Sequence, residues 1–262
     1  MSYCTVNGIK IHYEVSGEGF PLVLIHANPF DRRLWLYQVS HFSTFFKVIN
    51  VDLRGYGYSD KPTSTTSIVE IGEDVVGVCR QEGVKEAMVA GISVGGVIAL
   101  QLGLDHPEIF KALILVGCSS GPGGRYQQRI EGYMEGVEKY HIQHLKALVS
   151  KAFFESRLGH YLLGNFTDWD KRLNAGSIAE IFKALQNRDV THRLGELKMP
   201  VLVVNGEFDN SLVRGREMAQ KIRGGVHQII PGAGHACCLE DPAAFDEVLI
   251  EFFEAHGLMP RS

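Results

Sequence analysis

The sequence predicts an α/β fold: a doubly wound, mostly parallel sheet carrying an inserted all-helical lid. Three observations predict it. Short apolar, β-branched runs recur along the chain and alternate with segments of helical spacing, as expected of strands covered by helices on both faces. Several of these runs end in polar or glycine-rich loops, the place where an open parallel sheet builds its sites. From 121 to 198 the alternation stops and only helical spacing remains, which divides the chain into core 1–120, lid 121–198 and core 199–262.

Residues 3–15 form two short alternating runs about Asn7-Gly8, the favoured two-residue hairpin turn, so the chain opens with an antiparallel edge hairpin. Pro21-Leu22-Val23-Leu24-Ile25 is an uninterrupted apolar run suited to a buried strand, and it delivers the loop His26-Ala27-Asn28-Pro29. A helix is expected over 34–42 and a third buried strand over 47–52. The loop 52–60 mixes charges with Gly55, Tyr56, Gly57 and Tyr58 and reads as a tight surface turn. The spacing of Ile71, Val75, Val78 and Cys79 predicts a helix over 70–82, followed by a strand that ends at Ile92. His106-Pro107 stops the next helix, and 111–118 is another strand.

Within the lid, helices are expected over 125–140, 142–154, 157–165 and 178–187. Tyr126, Tyr133, Met134, Phe153, Phe154, Tyr161, Leu162, Phe166 and Trp169 are available to line an acyl pocket, although packing within the lid is the simpler role for most of them. The core resumes with a buried strand in 199–209, a helix containing Val213, Met218 and Ile222, a strand over 226–230, a glycine-rich loop presenting His235, and an amphipathic helix over 242–255.

At 262 residues and 45% hydrophobic content the chain can bury one large core. Its net charge of −4 is scattered, so nothing marks a surface for nucleic acid or an anionic membrane, and a small, mostly apolar molecule is the expected partner. The N-terminus lacks a basic segment followed by an apolar one, and no apolar run is long enough to span a bilayer, which together predict a cytoplasmic location. The 5 cysteines are odd in number and irregularly spaced, supporting neither a disulfide framework nor a zinc site.

The chemistry is concentrated at Gly91-Ile92-Ser93-Val94-Gly95-Gly96. A strand ends at Ile92 and a helix begins at Val94, so the chain reverses over Ser93, the G-x-S-x-G arrangement of a nucleophile elbow. Gly91 and Gly95 allow the close backbone approach that such a turn demands. Asp209 and His235 also sit just beyond strand ends, and loops at the carboxyl ends of parallel strands converge. A serine hydroxyl needs a base to take its proton and the base needs an acid to orient it, so Ser93, His235 and Asp209 are the expected catalytic residues. Glu207 is the competing acid, set aside because Asp209 lies further into the loop; Ser119-Ser120-Gly121-Pro122 offers no carboxylate. The oxyanion that forms when Ser93 attacks requires N–H donors, expected from Val94 and from Asn28, since Pro29 has none to give. His26 is expected to hold its loop by a side-chain hydrogen bond.

Over its whole length the chain resembles the α/β-hydrolase superfamily. The residues that carry the resemblance are the elbow, the H-x-x-P of His26 to Pro29, the D-x-R-G-x-G-x-S from Asp52 to Ser59, the G-x-x-D of Gly206 to Asp209 and the G-x-G-H of Gly232 to His235, all in order. Within the superfamily it is most similar to small serine esterases, including enol-lactonases and the aryl esterases related to cofactor-free perhydrolases. The resemblance implies an eight-stranded sheet with a helical cap. Haloalkane dehalogenases and epoxide hydrolases of this fold carry an aspartate nucleophile, and Ser93 argues against both.

The expected activity is hydrolysis of a carboxylic ester or lactone, acyl-homoserine lactones among them, with a medium acyl or aryl group and no metal or organic cofactor. Two alternatives share the same residues: a carbon-carbon bond hydrolase, and a ligand receptor with negligible turnover. A homodimer is the expected assembly.

Overall fold

The computed structural model describes residues 2–168 and 170–260. β1 (Ser2–Val6), β2 (Ile9–Ser16), β3 (Pro21–Ile25), β4 (Lys47–Val51), β5 (Ala87–Ile92), β6 (Phe110–Val116), β7 (Val201–Gly206) and β8 (Val226–Ile230) form one 8-stranded sheet in the order β1-β2-β4-β3-β5-β6-β7-β8. β1 and β2 are antiparallel about Asn7 (φ 48°) and Gly8 (φ 81°), the pair of positive φ values that a tight hairpin turn requires. β2 also runs antiparallel to β4, and every later pairing is parallel. The antiparallel expectation for the first hairpin and the parallel core therefore coexist in a single sheet.

Successive side chains of a strand point to opposite faces, and the core divides accordingly. Val23, Ile25, Val89, Leu113, Leu115 and Val203 pack on one face against α2 (Ile68–Gln81), α3 (Val94–Asp105) and α9 (Leu212–Lys221). Leu22, Leu24, Met88, Ala90, Ile114 and Val204 pack on the other against α1 (Leu36–Phe42), α10 (Cys237–Glu240) and α11 (Pro242–Ala255). Among the described residues between β6 and β7 the regular elements are all helical: α4 (Tyr126–Glu135), α5 (Val137–Leu148), α6 (Lys151–Glu155), α7 (Arg157–Thr167) and α8 (Ala175–Gln186), with short 3-10 turns after α7 and α8. Among the described residues no helix is long and apolar enough to cross a membrane.

Three local expectations differ from the structure. The helix expected over 125–140 is divided at Gly136, which ends α4 and begins α5, and the one expected over 142–154 is divided before Ser150, whose hydroxyl accepts the Phe153 N–H at 3.2 Å and starts α6. Helical periodicity continues across both breaks, so only the caps reveal them. α2 starts at Ile68 rather than 70, because Ser67 and Glu70 form a reciprocal capping box with Glu70 N–H donating to Ser67 Oγ at 3.2 Å and Ser67 N–H to Glu70 Oε2 at 2.8 Å.

The loop 52–60 is the largest departure: it is an interior turn. Leu53 and Tyr56 are buried, and Arg54 reaches inward to donate to both carboxylate oxygens of buried Asp74, at 2.6 and 2.7 Å. Asp52 is fully buried and gathers four donors: His12 Nδ1 at 2.9 Å, Arg32 N at 3.0 Å, Arg32 Nη1 at 3.2 Å and Tyr58 N at 3.1 Å. The charges that suggested a surface position are instead paired within the fold.

Burial pushes the Asp52 carboxyl upward, but the His12 hydrogen bond, the Arg32 charge and the Arg32 backbone N–H outweigh it and hold its pKa at about 2. Because the folded value lies below the unfolded one, the carboxylate contributes stability, on the order of 2 kcal/mol, that is complete above about pH 4 and is lost as the pH falls through the folded value. Urea unfolding of Asp52→Ala at neutral pH is therefore expected to show a loss of about 3 kcal/mol, since Arg32 and His12 are left without their acceptor. A loss below about 0.5 kcal/mol would contradict the role of this carboxylate as a buried junction.

Candidate active site

β5 ends at Ile92 and α3 begins at Val94, and Ser93 between them has φ 57° and ψ −116°. A positive φ is strained for any residue with a Cβ and is sustained here by its surroundings. Ser93 N–H donates to Val116 O on the neighbouring β6 at 2.8 Å, and Ser93 O accepts the Val97 N–H at 2.9 Å, opening the helix. A Cβ at Gly91 would overlap the Gly95 carbonyl, and one at Gly95 would overlap the Ile25 carbonyl, so the glycines are present because backbone meets backbone. Val94, as the first helical residue, keeps an N–H that the helix does not use.

β7 delivers the acid. Asp209 lies in a turn closed by its own N–H on Gly206 O at 3.1 Å. Its Oδ1 accepts Ser211 N–H at 2.8 Å and His235 Nδ1–H at 3.0 Å, while Oδ2 accepts Asn205 Nδ2 and Ser211 Oγ, both at 2.9 Å. Burial pushes the Asp209 carboxyl upward, but the facing His235 and the donors from Ser211 and Asn205 more than offset it, and it lies well below the usual carboxylate range. The carboxylate is thus ionised and can only accept, which puts the neutral imidazole's proton on Nδ1 and its lone pair on Nε2. His235 Nε2 is buried and makes no hydrogen bond among the described residues.

The loop that carries His235 is anchored at three points. Glu207 Oε2 accepts Gly232 N–H at 2.8 Å, so the competing acid serves the loop and not the imidazole. Glu240 Oε1 accepts Gly234 N–H and its Oε2 accepts Ser150 N–H, both at 2.8 Å, and Ala236 N–H donates to Leu148 O at 2.8 Å, which ties the loop to α5 and α6. Gly117, with φ 57°, lies under the ring: a Cβ there would stand 2.8 Å from His235 Cε1.

Ser93, Val94, Asn28 and His235 line one small cavity of about 50 Å³, with Asp209 immediately behind the imidazole. All five residues expected from the sequence are thus brought to one place. His26 holds the Asn28 loop. Its Nε2 accepts Leu53 N–H at 3.0 Å, so its proton is on Nδ1 and donates to Ala27 O at 2.9 Å. Burial lowers the His26 pKa and keeps the ring neutral in this arrangement. Asn28 is 4% exposed and its side-chain amide has no partner among the described residues.

Of the aromatic and aliphatic lid residues proposed for the pocket, Tyr126 lines it. Tyr133, Phe153, Leu162 and Phe166 are buried in the two cores, Phe154 is half-buried beside His160, and Met134 and Tyr161 are exposed; Trp169 lies outside the described residues. Sequence reading missed Phe182, Arg129 and Arg214, which complete the wall. One signal was available: Arg129 follows Tyr126 by three residues, the spacing that puts both on one side of α4. Asn205 and Ser211, which orient the acid, had none, because polar residues beside a strand end are ordinary in loops.

A family model described as alpha/beta hydrolase fold matches residues 21–242. The AB hydrolase superfamily protein YisY of Bacillus subtilis (strain 168) is 27% identical over 263 residues, covering 95% of this chain and 97% of that protein. The 3-oxoadipate enol-lactonase 2 of Acinetobacter baylyi is 25% identical over 258 residues, covering 94% of this chain and 93% of that protein. Among solved structures, the enol-lactonase from Burkholderia xenovorans LB400 superposes with a TM-score of 0.91 at 25% identity, covering 97% of this chain and 100% of that one.

The close approach at the elbow has a measurable consequence. Gly95→Ala is expected to destabilise the fold by about 2 kcal/mol or more, because the added methyl meets the Ile25 carbonyl and backbone cannot move aside as a side chain would. Wild-type stability of Gly95→Ala in urea would show that β3 and α3 are not packed this tightly.

Proposed function

The chain belongs to the alpha/beta hydrolase fold family, and from that premise we propose that it hydrolyses a carboxylic ester or lactone through an acyl-enzyme on Ser93. The observation that carries the proposal is the convergence of Ser93, in its positive-φ elbow, with an imidazole whose Nε2 is free and whose Nδ1 is bonded to a buried carboxylate. Similarity to enol-lactonases over nearly the whole chain supports the choice of ester and lactone chemistry.

In the proposed reaction Ser93 Oγ attacks the carbonyl carbon, and its proton passes to His235 Nε2 as the carbon-oxygen bond forms. The imidazolium that results faces Asp209, already ionised and held by four donors, so the new charge meets a partner that needs no rearrangement. The carbonyl electrons move to the oxyanion, which accepts from the unused N–H of Val94 and from Asn28. Collapse breaks the bond to the leaving oxygen, and His235 returns the proton to it. Water then attacks the acyl carbon, giving its proton to His235. Release of the carboxylic acid restores the Ser93 hydroxyl, with one water consumed overall. Residues 121–198 act as the lid over this site, and Tyr126 and Phe182 supply its apolar side.

Hydrolysis of p-nitrophenyl esters and of a γ-lactone panel tests the reading. Ser93→Ala and His235→Ala are each expected to lower kcat by roughly 10⁴-fold or more with unchanged circular dichroism, and Asp209→Asn by about 10³ to 10⁴. A Ser93→Ala variant that keeps turnover within tenfold of wild type refutes the acyl-enzyme.

A further inference from the structure

We propose that Arg129 and Arg214 form an anion subsite beside Ser93, and that the substrate is a compact ester or lactone bearing a second, free carboxylate. This deepens the hydrolase reading and rests on it. Both arginines line the cavity that also holds Ser93 and His235, and the described lining residues include no aspartate or glutamate.

Buried charge is ordinarily paired, because leaving water without a counter-ion is costly. Neither arginine has such a partner among the described residues. Arg129, half-buried on α4, stands over the Phe182 ring with its guanidinium carbon 5.7 Å from the centroid. Burial lowers its pKa, and a second cation nearby, Arg125, acts in the same direction. Arg214, in the first turn of α9, has a buried Nε with no hydrogen bond, and it lies against Gly123, where a Cβ would come within 2.9 Å of that nitrogen. A third guanidinium stands behind the wall. Arg188 donates to Gln101 Oε1 at 3.1 Å and Ser120 O at 3.4 Å, keeps a buried Nη2 unpartnered, and acts electrically on Cys118, which lines the cavity.

The positive excess is local, since the chain as a whole carries −4. It was invisible to a reading in which charges are scattered and the ligand mostly apolar. A planar guanidinium fork matches a carboxylate in two parallel hydrogen bonds, and in a half-buried wall such charge-assisted bonds are stronger than at an open surface. The cavity, at about 50 Å³, leaves room for only a short spacer between the carbonyl at Ser93 and the carboxylate at the arginines. Apolar contact from Val97, Phe182 and Leu185 suits that spacer.

The test compares p-nitrophenyl hemiglutarate with p-nitrophenyl valerate, two acyl chains of the same length that differ in a terminal carboxylate. Wild type is expected to favour the hemiglutarate in kcat/KM by roughly tenfold or more, through KM, with the preference narrowing at high salt. Arg129→Gln and Arg214→Gln should each reduce the charged-to-neutral ratio by about tenfold, and the lysine variants should recover part of it. Equal or slower turnover of the hemiglutarate by wild type, with the valerate turned over and Ser93 labelled by a fluorophosphonate, overturns the subsite and leaves the serine hydrolase standing. Calorimetric titration of Ser93→Ala with glutarate reads the subsite without turnover. Binding that weakens about tenfold in either glutamine variant supports it even where both esters are inert, an outcome that counts against the hydrolase alone. No glutarate binding, or phosphate bound as tightly as glutarate, overturns the carboxylate assignment.

Discussion

The left-handed backbone at Ser93 is the constraint on which the rest of the site depends. A serine at φ 57° costs of the order of 1 to 3 kcal/mol and persists only where neighbours leave no alternative. Most of those neighbours are backbone atoms: Gly91 meets Gly95, and Gly95 meets Ile25 and His26, while Gly96 meets the Gly91 carbonyl and the side chain of Cys118, just beyond β6. Each contact also places something. Pressing α3 against the end of β3 sets the Asn28 loop beside the serine, and pressing it against the end of β6 brings Gly117 under the His235 ring.

Around this packed centre, buried carboxylates act as junctions. Asp52 joins β2, the turn at Arg32 and the loop 52–60, and the neutral His26 beside it accepts Leu53 N–H and so holds the Asn28 loop to the same turn. Asp209 joins the end of β7 to the histidine. Glu240 joins the histidine loop to the start of α6, and Ala236 bonds the end of α5, so the imidazole and the helices above it share anchors. A displacement of those helices would therefore be felt at the His235 imidazole. Each carboxylate accepts several donors at once, which offsets the cost of burying its charge.

The helical segment between β6 and β7 contributes differently. Its apolar residues divide between the two cores, with α4, α8 and the start of α5 on one side and the end of α5, α6 and α7 on the other, so most of its aromatic content supports its own attachment. What it presents to the cavity is a narrower set: Gly124, Tyr126, Arg129, Phe182 and Leu185. Ser93, Asp209 and His235 come from the ends of core strands, whereas Tyr126, Arg129 and Phe182 come from helix faces.

The sequence by itself determined the sheet, its eight strands and the places where polar residues leave them, because burial on both faces writes continuous apolar runs, and glycine marks where backbone must approach backbone. It likewise singled out Ser93, Asp209 and His235 as candidates, since each follows a strand end and a proton relay would require those three chemistries. The interior position of loop 52–60 was decided only by the tertiary structure, because a charge reads as exposed until its partner, here Asp74 on α2 or Arg32 before α1, is brought to it from elsewhere in the chain. The breaks at Gly136 and Ser150 were equally hidden, as helical periodicity runs through them. The meeting of Arg129 from α4 with Arg214 from α9 was decided only in three dimensions, where charges far apart in the sequence acquire a common cavity and no counter-ion.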